Sequence, residues 1–453
     1  MFKNHEQVIQ YILSFMNLEK GPEKYSERTY RLDRMFALAR ALGNPQNSFK
    51  TIHVAGSKGK GSTSALLANA IQASGYKTGL YTSPHVRDYR ERFTLCGTFF
   101  DEDILVRVGN RLADGTRSFE FEGMKPTAFE LFTVYAFMLF EESGCDWAVI
   151  ETGMGGRLDA TNIITPQASV ITPIELEHTR ILGDTVEKIA FEKSKIIKPG
   201  VPVFISRQKP QARDVLLEEA KACRSPVHCL GKEVRILDTV CTPSCEQVDV
   251  ELEDGYRASL KLSMMGEAQA GNCALALMVL RNLGLYKQGV TEKALEKTTL
   301  PGHFQRIEKY GRAFYIDGAH TKLSMELLMK SWKQLFGCNT GACIFGCVAD
   351  KNHTEMESLI LSTFDRVAVS RPGTFKESDP EALFAEMRDL AQSSFNTCGG
   401  YRTCCSDRKK TVVLKKEAQD AINWAVENTK ENESILVCGS FYLAGDILEA
   451  LCH

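Results

Sequence analysis

Gly56, Gly59 and Gly61 interleave with Lys58, Lys60 and Ser62 in the run Gly56-Ser-Lys-Gly-Lys-Gly-Ser62, directly after the apolar stretch Ile52-His-Val-Ala55. Glycine tolerates the backbone angles that turn successive amide N–H groups toward one anion. Lys60 adds a compact cation for the outer phosphates of a nucleotide, and Ser62 a hydroxyl for the Mg²⁺ that travels with them. The residues that follow, Ala65-Leu-Leu-Ala68 and Ile71, read as a helix whose N-terminus faces the same phosphates. The spacing is not the commonest: the usual loop has a further glycine where this chain has Val54. A glycine turn with a solvated lysine is the rival reading. The strand before and the helix after favour phosphate binding.

Two more groups stand at the ends of apolar runs. Glu151 closes Trp147-Ala-Val-Ile150 and opens a glycine-rich turn, Thr-Gly-Met-Gly-Gly-Arg-Leu-Asp-Ala-Thr-Asn162. A carboxylate there suits a hard cation held on nucleotide phosphates. Thr82-Ser83-Pro84-His85 follows a second run and offers a hydroxyl. Farther on lie Glu177-His178-Thr179 and Glu192-Lys193, where the histidine by its position alone is more often structural than a ligand.

The elements that must hold these groups alternate. Short β-branched runs at Thr51–Ala55, Thr78–Tyr81, Trp147–Glu151, Ala168–Thr172 and Val201–Ser206 are separated by helical patterns. Such alternation predicts a mostly parallel sheet covered by helices, with ligands at the carboxyl ends of its strands. Residues 225–262 differ, with short alternating runs that predict small antiparallel strands before a helix over Ala268–Leu283. Leu300-Pro301-Gly302 reads as a linker, after which the alternation restarts at Phe314–Asp317, Ala342–Val348, Arg366–Ser370 and Ile435–Cys438. The expected organisation is therefore α/β in two parts. Residues 1–300 form a phosphate-loop ATPase domain with a mostly parallel sheet, and residues 301–453 a smaller Rossmann-like α/β domain.

A length of 453 residues exceeds one ordinary core, which agrees with that division. A net charge of −2 gives no reason to expect nucleic acid or an anionic membrane as partner. Thr127–Phe140 is the longest apolar stretch, but it carries Glu130 and is too short to span a bilayer, so it reads as a buried helix. Fifteen cysteines, an odd count with no apolar signal core at the N-terminus, imply reduced thiols and a cytoplasmic protein. Cys273, Cys343, Cys347 and Cys438 sit in apolar runs and read as small core residues. Cys223, His228, Cys229, Cys241 and Cys245, like Cys398, Cys404 and Cys405, lack the paired spacing of structural zinc sites. The basic Arg408–Lys416 region reads as solvated surface.

Taken in order, these blocks resemble the folylpolyglutamate synthase and dihydrofolate synthase family of the Mur ligase superfamily. The later runs Gly266-Glu-Ala-Gln269-Ala-Gly-Asn272, Pro301-Gly302, Asp317-Gly-Ala-His320 and Gly439-Ser-Phe-Tyr442 carry the same resemblance. It covers nearly the whole chain, and the block from Glu151 to Asn162 is its most specific piece. The resemblance implies that ATP phosphorylates a substrate carboxylate and that the amine of L-glutamate displaces phosphate to form an amide. It implies that Gly56, Gly59, Lys60, Gly61 and Ser62 hold the phosphates, with Asn272 and Asp317 as further nucleotide contacts. Ser62, Ser83, Glu151, His178 and a carbamylated Lys193 would gather Mg²⁺, two ions in all, and Lys60, Glu151, His178 and Lys193 would be catalytic. Thr127, Leu158, Asp159, Ala160 and His320 would meet the substrates, folate or dihydropteroate and glutamate, in a monomer. The nucleotide site would be shared between the two domains.

Departures bear on the details. His303 stands where the family has arginine, Lys58 where it has asparagine, Ala268 where it has histidine, and Thr321-Lys322 where it has Asn-Pro. Tyr30-Arg-Leu-Asp-Arg34 replaces a further family pattern near the pterin-bearing substrate. Two alternatives stay open: a Mur-type ligase acting on another carboxylate, and a catalytically impaired nucleotide-binding homologue.

Overall fold

The computed structural model describes residues 1–17, 30–348, 353–373, 377–396 and 410–452. Cys398, Cys404, Cys405, Arg408 and Lys409 lie outside the described residues. The chain forms two compact units: Met1–Thr239 with Val248–Leu260 and Ala268–Thr298, and Thr299–His453 with Val240–Gln247 and Lys261–Glu267. Two short stretches before residue 300 thus group with the second unit.

The first unit is built on seven strands: β1 (Lys50–Ala55), β2 (Thr78–Tyr81), β3 (Phe93–Thr94), β4 (Trp147–Glu151), β5 (Ala168–Ile171), β6 (Val203–Ile205) and β7 (Val227–Cys229), in the order β3-β2-β4-β1-β5-β6-β7. Only β3, against β2, runs antiparallel; the other pairs are parallel. Strands β4 and β5 are buried along their whole length, the near-continuous apolar pattern of a parallel sheet covered on both faces. Register aligns Val54 with both Glu151 and Val170, and Ala55 with Ile171. The carboxyl ends of β1, β4 and β5 therefore coincide, and Gly56, Glu151 and Thr172 emerge at one edge of the sheet.

Helix Lys60–Ala73 follows β1, and in helix Ala128–Glu142 almost every side chain is buried. The second helix starts sharply because Thr127 and Glu130 form a capping box, each side chain bonding the other's backbone N–H. Its Phe140 lies so close to β2 that a Cβ on Gly79 would stand 2.6 Å from the ring. Strands β8 (Val234–Cys241), β9 (Glu246–Leu252) and β10 (Arg257–Leu262) make a separate sheet in the order β10-β9-β8, in the region where short strands were expected.

The second unit has six strands: β11 (Gln305–Lys309), β12 (Arg312–Ile316), β13 (Ala342–Phe345), β14 (Arg366–Val369), β15 (Thr411–Leu414) and β16 (Ser434–Cys438), ordered β11-β12-β16-β13-β14-β15. All neighbours are parallel except the hairpin β11–β12. Its core gathers Trp332, Phe345, Phe364, Leu436 and the buried Cys343 and Cys438, the small-residue role expected of those cysteines. Strand β15 corrects one reading: Thr411–Leu414, within the basic stretch read as solvated surface, completes the sheet against β14. The sequence hides it because it is a half-exposed edge strand flanked by lysines. Among the described residues no helix is long and apolar enough to cross a membrane.

Candidate active site

The turn from β1 into helix Lys60–Ala73 is fixed by close approach. At Gly59, φ is +81°, and a Cβ there would meet Asn272 Oδ1 at 2.4 Å. At Gly56 a Cβ would stand 1.8 Å from Thr172 Oγ1. Glycine is required at both positions by space, and at Gly59 by conformation as well. Beyond β5, the carbonyl of Pro173 accepts from the N–H groups of Ser57 (2.9 Å) and Lys58 (3.2 Å). From the helix side, Gln269 Nε2 donates to Ser62 Oγ at 3.3 Å and Asn272 Nδ2 to Gln269 Oε1 at 3.1 Å. Ser62 and Asn272 are both buried, so the loop's serine and its glycine turn are braced by one helix, Glu267–Asn282. Gly61 lies in the first turn of helix Lys60–Ala73.

Charge is concentrated against this loop. Lys60 Nζ lies 3.9 Å from Glu151 Oε1, and the Ser83 N–H reaches Glu151 Oε2 at 3.3 Å. Burial pushes the Glu151 carboxyl up to about 7, with Lys60 opposing the rise. Lys193 Nζ donates to the Gly56 carbonyl at 2.7 Å and pairs with Glu177 Oε1 at 2.8 Å. Burial brings the Lys193 ammonium down to about 8 against the pull of Glu177. Burial alone would raise the Glu177 carboxyl, but Lys193, with Lys60 behind it, holds it at about 2. The pair is therefore ionised near neutral pH, a cation locked to the backbone of the loop. Glu177 is the member to which the sequence alone assigns no role. Its signal was its position just past the end of β5, next to His178.

The block after Glu151 is a folded brace. Asp159 is buried, and its carboxylate accepts from Met154 N (2.8 Å), Thr161 N (3.0 Å) and Thr161 Oγ1 (2.5 Å). Thr161 Oγ1 also meets His53 Nε2 at 2.8 Å, which ties the block to β1. Gly156 lies against helix Val186–Ser194, where a Cβ would stand 2.7 Å from the Glu192 carbonyl and 3.2 Å from Lys193 Cα. At Gly153 a Cβ would stand 2.3 Å from the Phe129 ring. The Arg157 side chain reaches Glu192 Oε1 at 3.1 Å. Leu158 is half-buried and Ala160 buried. The Asp159 carboxylate thus holds the loop, and through Gly156 the loop sets the place of Lys193.

The remaining expected residues fall as follows. Thr127's hydroxyl caps its helix, while Glu130 also takes the buried Arg34 Nε at 3.0 Å, so this corner is an internal ion pair. Ser83 sits on the loop after β2, where His85 accepts from Arg92 Nε (3.1 Å) and its ring lies 4.0 Å from that of Tyr89. His178 is exposed, with φ +46°, and opens the short helix Thr179–Leu182. The structure brings Lys60, Glu151, Lys193, Ser62, Ser83 and Asn272 to the loop, and leaves the His178 ring at the surface beside Glu177.

Asp317 and His320 belong to the second unit. Asp317 stands one residue past β12, and its two carboxylate oxygens accept from Phe304 N and Ala319 N, each at 2.8 Å. His303 Nδ1 contacts the Pro301 carbonyl (2.9 Å) and His320 Nδ1 the Gly318 carbonyl (2.7 Å). Both rings pack on Phe441, with centroids 5.3 and 5.8 Å away. Arg306 lies exposed on β11 beside Glu308 and opposite Tyr315 on β12. The cysteine and histidine cluster at 223–245 does not assemble as a metal site among the described residues, and His228 is taken up by Glu233 and the Phe204 ring.

A glycine turn opening a helix from a central parallel strand, faced by a buried carboxylate and a buried lysine, defines a phosphate-handling α/β protein. The Mur ligase middle domain matches residues 54–280, and the Mur ligase glutamate ligase domain matches residues 302–441. The dihydrofolate synthase/folylpolyglutamate synthase of Bacillus subtilis is 28% identical over 427 residues, covering 93% of this chain and 94% of the relative. A folylpolyglutamate synthase of Saccharomyces cerevisiae is 32% identical, covering 93% of this chain and 81% of the relative. The solved Mycobacterium tuberculosis folylpolyglutamate synthase complexed with ADP superposes with a TM-score of 0.83 at 26% identity, covering 99% of this chain and 98% of that one. The chain belongs to the folylpolyglutamate synthase and dihydrofolate synthase family of the Mur ligase superfamily.

Proposed function

We propose that this protein is an ATP-dependent ligase that joins L-glutamate to folates, with dihydropteroate as a further candidate acceptor. The observation that carries the reading is the cluster Lys60, Glu151 and Lys193 around a braced glycine loop. In the reaction, a carboxylate oxygen of the acceptor attacks the γ-phosphorus of ATP, and the bond to ADP breaks. The glutamate nitrogen then attacks the acyl carbon; phosphate leaves, and the amine loses a proton as the amide forms. Transfer between anions depends on positioned positive charge more than on covalent help. Lys60 and the loop amides supply that charge to the outer phosphates, while Lys193 keeps the loop in shape through Gly56. In this reading residues 1–300 handle the nucleotide and folate and residues 301–453 contribute to glutamate ligation, with Asp317, His303 and His320 at the second unit's strand end.

Ser62, Ser83 and Glu151 offer an all-oxygen donor set at one sheet edge. Glu151 is a buried carboxylate compensated by Lys60 only at 3.9 Å. That set fits Mg²⁺, which when bound neutralises phosphate charge. A second cation beside His178 is a different matter, because the Lys193 ammonium donates to Gly56 and Glu177 and has no lone pair to offer. Lys193 serves such an ion only as its carbamate, an exchange that gives up the contact with Glu177.

The test is ADP release by the purified protein with Mg·ATP and L-glutamate, with tetrahydrofolate, dihydropteroate or no acceptor, and products identified by mass. A glutamate-sized gain on tetrahydrofolate supports the reading, and a gain on both acceptors makes the enzyme bifunctional. ADP release with neither acceptor modified assigns the chain to another carboxylic acid. No ADP release under any condition overturns the ligase reading and leaves a nucleotide-binding homologue.

A further inference from the structure

Away from the glycine loop, the second unit brings together three metal-ligating side chains to which the ligase reading gives no task. His353 precedes helix Thr354–Leu361, and Glu357 lies one turn along it, so the i,i+4 spacing puts both on one face. Glu386 reaches them from helix Pro380–Asn396. His353 Nδ1 is 2.7 Å from Glu357 Oε1 and 3.5 Å from Glu386 Oε2, and one ligand atom from each of the three lies within 4.8 Å of the others.

A surface ion pair explains part of this. It does not explain Glu357, which is 0% exposed and whose second oxygen, Oε2, has no hydrogen-bond partner among the described residues. Leaving a buried carboxylate oxygen without a partner is costly. Two carboxylates around one imidazole also carry net negative charge whether or not the ring is protonated, and like charges this close disfavour each other.

We propose that His353, Glu357 and Glu386 bind a zinc-type divalent cation, which clamps helix Thr354–Leu361 to helix Pro380–Asn396. One imidazole and two carboxylates match the mixed N/O donors that zinc accepts at about 2.0–2.2 Å, whereas Mg²⁺ prefers oxygens alone. Drawing the three atoms onto such an ion needs side-chain movements of about an ångström, available to the exposed Glu386 and the half-exposed His353. Water completes the coordination on the open side.

The experiment titrates the full chain, stripped with chelator and kept reduced, with ZnCl₂ by calorimetry, alongside His353→Gln and Glu386→Gln. Neither substitution removes a helix cap, because His353 makes no side-chain capping bond and Glu386 is mid-helix and exposed. Zinc can also meet the chain's cysteines, so Co²⁺ absorption separates nitrogen and oxygen ligation from the intense thiolate charge-transfer bands. The expected result is one zinc event weakened at least about tenfold in both variants. A zinc-induced rise in melting temperature should vanish with it. Identical isotherms for all three proteins, or cobalt spectra showing thiolate ligation alone, overturn the proposal.

Discussion

Glu151 and Asp317 hold matching places in the two units, one ending an interior parallel strand and the other one residue past such a strand, yet their surroundings are opposite. Asp317 has both oxygens filled by backbone N–H groups at 2.8 Å, so its charge is used up in shaping the turn that carries His303. Glu151 is more deeply buried, has one N–H at 3.3 Å and a lysine at 3.9 Å, and is pushed up to about 7. A buried carboxylate with so few donors suits a cation, whereas one bonded to its own backbone helps to shape the chain. The same place in a fold therefore says less about chemistry than the count of donors around the group.

Removing the two acids should separate these roles. Glu151→Gln should lower glutamate ligation by about 10²–10³-fold, since the carboxylate that would hold Mg²⁺ on the reacting phosphates is lost, while the melting temperature holds or rises. If steady-state kinetics instead show near-normal turnover, Glu151 is no more engaged in chemistry than Asp317 and the contrast fails. Lys193→Ala should cost a comparable factor. If a carbamate is formed there, added acetate or another small acid should restore part of the rate, whereas a lysine acting only through Gly56 gives no rescue.

Asp317→Ala should act first on stability. Two N–H groups lose a charged acceptor, worth about 1.5–3 kcal/mol for each bond before water compensates, and urea melts of the full chain should show the loss. An unchanged melt with lost nucleotide affinity would reverse the assignment and make Asp317 the ligand-facing acid.

Acid should divide the units more gently. Burial lowers the His53 imidazole from 6.5 to about 3, so the unfolded chain takes up a proton that the folded one refuses. The stability due to neutral His53 is complete above pH 6.5 and falls toward pH 3 at up to about 1.4 kcal/mol per pH unit. In the second unit, Glu433 is held at about 2, chiefly by its hydrogen bond to Arg366, and that contribution is lost only as pH drops below about 4.5 toward 2. Glu151, pushed up to about 7 in the same unit, takes up a proton over much of that range and offsets the loss. Hydrogen exchange followed from pH 7 to 4 should therefore show His53→Phe holding the first unit more firmly toward acid than the parent chain.

Much of this was legible in the residues. The glycine loop and β1, β2 and β4 stood where the apolar runs and breaks placed them, because buried parallel strands write an unambiguous pattern. Less visible were β3 and β7, at two and three residues, and the half-exposed edge strand β15, whose patterns are too short or too polar to read. Lys193 could be found from its motif, but its partners could not. Glu177 and the Gly56 carbonyl come to it from 16 and 137 positions away, distances over which local pattern carries no information. Asp159 and Thr127 illustrate the reverse difficulty: a polar residue in a family motif can be retained because the loop or helix cannot close without it.

Gly79 and Phe140 lie 61 positions apart but occupy a single volume. Gly79 needs no unusual backbone angle, so space alone forbids a side chain there. The order of change then matters to descent. A lineage can admit alanine at 79 after Phe140 has shrunk to leucine, but the reverse order passes through an overpacked intermediate. Relatives should therefore divide into those with glycine and phenylalanine and those with alanine and a smaller partner, with few carrying the clashing pair.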